Sequence, residues 1–180
     1  MEIPELRNFS LVGGTALSLC YGHRKSIDLD LFSNKPFDNP AIIATLEKFF
    51  KKSFVNRTTN PRFGIFGFID EVKINIIRHP HPLIRPELNI DGIRMFSTED
   101  IIAMKVQAIL GRGKRKDFWD VAELLNHYSI SDYKISCREI CISKFIDHCA
   151  TSPNLFRRCR RKRRPGKFKK ANMGKCEKIH

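Results

Sequence analysis

Residues 11–32 read LVGGTALSLCYGHRKSIDLDLF, and the two ends of this stretch decide the fold. Residues 8–12 (NFSLV) are a short apolar run that stops at Gly13-Gly14-Thr15, the pattern of a strand closing in a tight turn. Residues 16–21 (ALSLCY) suit a helix whose N-terminus carries that turn. Residues 27–32 (IDLDLF) alternate with a period of two, which predicts a half-buried strand with Asp28 and Asp30 on one face. Ile27, Leu29 and Leu31 then fall on the other face. Glycines before a helix start let backbone N–H groups approach a phosphate, and the helix N-terminus favours its charge. Two carboxylates at i and i+2 of a strand can share a hard cation. Alone, Gly-Gly-Thr is an ordinary turn and Asp-x-Asp an ordinary solvated face. Twelve residues apart and in this order, they describe a phosphate cradle beside a Mg²⁺ site, suited to metal-assisted phosphoryl or nucleotidyl transfer.

Outward from this stretch, residues 40–52 open with proline and carry apolar residues at helical spacing. Residues 53–69 and 71–77 read as strands, the second with Val72, Ile74 and Ile76 opposite Lys73, Asn75 and Ile77. Pro80, Pro82 and Pro86 interrupt regular structure, and residues 90–96 make a last strand. Ser97, Thr98, Glu99 and Asp100 mark a helix start, and helices are expected over 100–110, 116–128 and 136–150. The expected organisation is an α+β nucleus over 1–96, a helical part over 97–156 and a basic tail over 157–180.

Composition narrows the class. The chain has 180 residues, 42% of them hydrophobic, which excludes full disorder. No apolar run approaches the roughly 18 residues of a membrane span, and the N-terminus lacks a signal pattern, so a cytoplasmic protein without membrane partners is expected. The net charge of +14 is concentrated in residues 157–180, which hold 12 Lys/Arg and one Glu. A run this basic adsorbs to polyanions and is expected to be disordered. One back-translation of this tail, read one base later, gives an acidic and then amphipathic peptide, so an out-of-frame ending is also expected. Cys20, Cys137, Cys141, Cys149, Cys159 and Cys176 include no CxxC pair, which predicts buried, reduced thiols.

The string 11–32, with His23, Arg24 and Ser26 before the acidic pair, resembles the polymerase-β-like nucleotidyltransferase superfamily, and within it the AbiEii-type toxin nucleotidyltransferases. Residues 98–109 (TEDIIAMKVQAI) and 114–125 (KRKDFWDVAELL) are similar to that family's later motifs. The resemblance implies a mixed sheet with flanking helices and a helical C-terminal part. It implies Mg²⁺, with Mn²⁺ as a substitute, on Asp28, Asp30 and the residue at 75. It implies an NTP held by Gly13, Gly14, Thr15, Arg24, Ser26 and Lys105, a pocket completed by Asp117, an RNA acceptor (typically the 3′ end of tRNA) and a cognate antitoxin. The third carboxylate that the superfamily places on a later strand is Asn75 here. An amide can ligate but accepts no proton at neutral pH. Asp70 and Glu71, at the strand entrance, are not expected to replace it. A truncated or frameshifted member, a nucleotide-binding remnant and an RNA-binding module acting through the tail are the alternatives. His79 and His81 resemble a metal pair but have no companion ligands in the sequence.

Overall fold

The computed structural model describes residues 3–139. It divides into two units, one of residues 1–16 and 26–97, the other of residues 17–25 and 98 onward. The first unit holds β1 (Ser10–Val12), the opening of α1 (Gly13–Tyr21), β2 (Leu29–Ser33), α2 (Asn39–Phe50), β3 (Phe54–Asn56), β4 (Ile65–Ile69), β5 (Val72–Arg78), β6 (Leu88–Ile90) and β7 (Ile93–Met95). The strands form one mixed seven-stranded sheet in the order β3-β4-β5-β2-β1-β7-β6. The pairs β1–β7 and β2–β5 are parallel and the others antiparallel.

Alternation puts Leu31, Phe54, Ile65, Ile74 and Ile76 on one face of this sheet, where all are buried. Helix α2 lies against β3 and β4 and buries Ile42 and Leu46. Asp30 and Asn75 belong to the opposite face, as period-two reading requires.

Two expected strands are hairpins. The stretch expected as one strand over 53–69 is β3 and β4, paired antiparallel. Its middle contains Asn60-Pro61, which caps a 3-10 turn (Pro61–Phe63) through an Arg62 N–H bond to the Asn60 side chain at 3.0 Å. Proline has no N–H for a ladder, so the run must break there. The stretch expected over 90–96 spans the end of β6, a turn at Asp91 (φ 51°) and Gly92 (φ 76°), and β7, its antiparallel partner. Asp-Gly is the residue pair that a two-residue turn with positive φ requires.

The second unit holds the end of α1 with α3 (Thr98–Gly111), α4 (Arg115–Leu124) and α5 (Ile130–Glu139), and α3 packs against both α4 and α5. Helix α5 starts six residues before the expected 136, because Ser129 and Asp132 cap it reciprocally: the Ser129 N–H and hydroxyl donate to Asp132 Oδ2 at 2.7 and 2.8 Å. The expected continuation to 150, the side chains of the last five cysteines and the tail lie outside the described residues. Among the described residues no helix is long and apolar enough to cross a membrane.

Candidate active site

The first unit assembles its cluster through β1 and β2. Val12, the last residue of β1, pairs with Asp30, so the chain leaves the sheet at Gly13 beside that carboxylate. Gly13 has φ +72°, and a Cβ there would meet Asp30 Oδ2 at 3.0 Å. A side chain here would be strained by the left-handed backbone and would crowd that carboxylate, so glycine suits the position. The free N–H groups of the first turn of α1 therefore open next to an acidic side chain. Thr15, in that turn, donates its hydroxyl to the Asp28 carbonyl, and Ser26 Oγ lies 3.0 Å from Thr15 Oγ1. A hydroxyl has one proton, so Ser26 donates to Thr15. These bonds tie the segment before β2 to the glycine turn.

Asn75 enters through register. Parallel pairing of β2 with β5 sets Asp30 opposite Asn75, and Asn75 Nδ2 donates to Asp30 Oδ1 at 2.6 Å. That leaves Asn75 Oδ1 buried and without a hydrogen-bond partner. An orphaned amide oxygen beside a carboxylate costs stability unless a donor or cation meets it. Asp30 and this amide oxygen are oxygen donors of the kind Mg²⁺ or Mn²⁺ takes, whereas Asp28, expected on the same strand face, precedes β2, which starts at Leu29. Among the described residues there is no group of three or more His, Cys, Asp or Glu placed to hold a metal ion. Asp70 (φ 45°) and Glu71 (φ 69°) form the two-residue turn between β4 and β5, at the end of the strand rather than on its face.

The second unit contains a different cluster, around Asp117 and Asp120, both with side chains 0% exposed. Asp120 accepts from His23 Nε2 at 2.7 Å, Arg24 Nε at 2.6 Å and Lys105 Nζ at 2.6 Å. Asp117 accepts from Lys105 Nζ at 3.2 Å and from Arg112 Nε and Nη2 at 3.0 Å each. Burial alone would raise Asp120; the hydrogen bonds from His23 and Arg24 and the Lys105 charge outweigh it and hold the carboxyl well below its ordinary range. Asp117 is likewise lowered against its own burial, by Arg112 and Lys105. Three permanent cations against two carboxylates leave the cluster one positive charge in excess. His23 Nδ1 is buried without a partner.

Of the expected site residues, Gly13, Gly14, Thr15, Ser26, Asp28, Asp30 and Asn75 belong to the first unit and Arg24, Lys105 and Asp117 to the second. Asp120 is not among the expected site residues, although it accepts from three side chains and Asp117 from two. The signal was present: positions 117, 120, 121 and 124 have the spacing of one buried helix stripe, and two of the four are acids.

Residues 3–174 match the family described as nucleotidyl transferase AbiEii toxin, Type IV TA system. An uncharacterized protein of Aquifex aeolicus (strain VF5) is 35% identical over 125 residues, 67% of this chain and 59% of that protein. The antibiotic-resistance factor ANT(2″)-Ia, solved in solution, is similar in fold with a TM-score of 0.57 at 17% identity, over 74% of this chain and 83% of its own. The crystal structure of JHP933 from Helicobacter pylori gives a TM-score of 0.49 at 22% identity, over 70% of this chain and 62% of that one. The chain thus spans about three fifths of the length of the Aquifex and Helicobacter proteins.

Proposed function

The chain belongs to the AbiEii nucleotidyl transferase toxin family, and from that premise we propose that it is a cytoplasmic enzyme transferring a nucleotide from an NTP to RNA. The acceptor is tRNA and the natural partner a cognate antitoxin. The observation that carries the reading is the approach of Gly13 to Asp30, which sets a helix N-terminus beside an acidic oxygen site. Gly13, Gly14 and Thr15 receive the triphosphate at the start of α1, where unpaired N–H groups and the helix dipole favour an anion. Asp28, Asp30 and Asn75 Oδ1 would hold Mg²⁺, which when bound would supply Lewis-acid polarisation of the phosphate. Arg24 and Lys105 stand in a cluster with positive charge to spare, which favours a polyanionic substrate.

The reaction joins the acceptor hydroxyl oxygen to the α-phosphorus while the bond to pyrophosphate breaks and pyrophosphate leaves with the electron pair. The hydroxyl also loses a proton. Asn75 has no atom basic enough to take it, so the proton passes to solvent and transfer is slow. A nucleotide-binding remnant without transfer is the second reading, and the same asparagine favours it.

Incubating the protein with Mg²⁺, labelled NTPs and total tRNA separates these. Weak labelling is expected, with Asn75→Asp raising the rate on the order of 10²-fold by restoring a base. Full wild-type activity that Asn75→Asp leaves unchanged shows that position 75 is not the third site position. No labelling by either protein, with NTP still bound, establishes the remnant.

A further inference from the structure

The ladder registers extend the face that holds Asp30 toward the edge of the sheet. Asp30 is paired with Asn75, and Asn75 with Phe66. Arg57 continues β3 and donates its N–H to the Phe66 carbonyl at 2.8 Å. Residues directly opposite in a ladder share a face, so Asp30, Asn75, Phe66 and Arg57 form one row across four strands. The neighbouring row on that face runs from Lys73 through Phe68 to Val55. Phe68 is 38% exposed and Val55 43%, Lys73 and Arg57 are exposed as well, and Phe66 is half-buried. The buried face of the same strands already holds Phe54, Ile65, Ile74 and Ile76, so these outward aromatics are not needed for the core.

The charge around them is one-sided. Residues 51–78 contain six Lys/Arg and only two acids, Asp70 and Glu71, both in the turn at the end of β4. Open aromatic faces on a sheet with cations between them suit unpaired bases, which stack on the rings while their phosphates meet the cations. Phe66 lies two strands from Asp30, roughly 10 Å at ordinary strand spacing. An RNA strand whose last hydroxyl stands at Asp30 therefore passes its next bases over Phe66 and Phe68.

We infer that Phe66 and Phe68 are the stacking platform for the single-stranded reacting end of the RNA acceptor, with Arg57 and Lys73 holding its phosphates. This rests on the transfer reading above and adds where the acceptor lies. A run as basic as residues 157–180 attracts phosphates and carries Phe168, so the test must read the stacking lost with Phe66 and Phe68 rather than binding alone. The full chain is titrated into a short single-stranded RNA carrying 2-aminopurine at its 3′-terminal bases, whose fluorescence is quenched on an aromatic ring. Quenching is expected with the wild type and with Phe68→Trp. Phe66→Ala and Phe68→Ala lose most of it and weaken binding roughly tenfold each. Lys73→Ala lowers the slope of log affinity against log salt by about one. Unchanged quenching in both alanine variants, folded by circular dichroism, overturns the platform even where labelled NTP still reaches tRNA. The same holds if Phe68→Ala abolishes antitoxin binding but not quenching, which assigns the patch to a protein. Loss of quenching in these variants upholds the platform independently of whether the wild type transfers label, which tests the transfer reading itself.

Discussion

Gly13 and Asp30 are two residues whose substitution separates space from backbone strain. Gly13→Ala places a methyl carbon 3.0 Å from Asp30 Oδ2 at φ +72°. Stability should fall by about 1–2 kcal/mol from the left-handed backbone, and nucleotide binding should fall with it because Asp30 must move. Gly22→Ala is the control: its φ is +60° but nothing lies within 4 Å. It should cost similar stability in urea denaturation and leave nucleotide affinity untouched; equal loss of affinity in both would detach Gly13 from the site. The glycine turn and the strand face of Asp30 were legible because each is a local pattern, whereas Asp28, expected on that strand, precedes it. The Asn75–Asp30 hydrogen bond was only half legible. Alternation gave the face of Asn75, but the register joining β2 to β5 across 45 positions is fixed by tertiary packing, which no local period encodes.

At the scale of elements, α3 and α4 are held by charge as well as by apolar contact. Lys105 and the two acids stand on buried stripes beside Ile101, Ile102, Val106, Val121 and Leu124. Removing one partner leaves buried cations uncompensated, so Asp120→Ala should destabilise the protein by about 3–5 kcal/mol. Both carboxyls have folded pKa values below the unfolded value of roughly 3.9. Their stabilisation is therefore complete above about pH 4 and disappears as pH falls through the folded values. The urea midpoint should drop on acidification from about pH 6 to pH 3 in the wild type and drop less in Asp120→Asn. A parallel fall in both would remove Asp120 as a cause. The hairpins show why element boundaries were harder to read than element types. Asp91-Gly92 was a readable turn inside a run that looked continuous, whereas the break at Asp70 between two strands was expected, although neither Asp70 nor Glu71 is a glycine or asparagine.

For the whole molecule, charge and chemistry occupy different parts of the chain. Residues 157–180 carry a net +11, so deleting them should remove most of the salt dependence of RNA binding while nucleotide binding persists. Filter binding across a salt series checks this, and an unchanged slope would move the electrostatic contacts into the body. The α+β class and the family were legible from residues 11–32 and 98–125. The membership of residues 17–25 in the helical unit was not, because helix α1 runs without a break in pattern through Ala16 and Leu17.

That crossing has a consequence for inheritance. The backbone passes from one unit to the other after Ala16, Lys25 and Ser97, so neither unit corresponds to an unbroken stretch of gene. A recombination joint near codon 97 would deliver Asp117 and Asp120 without His23 and Arg24, the donors that Asp120 was built around. Chimaeras that exchange the helical half keep these donors only if they import residues 17–25 with it.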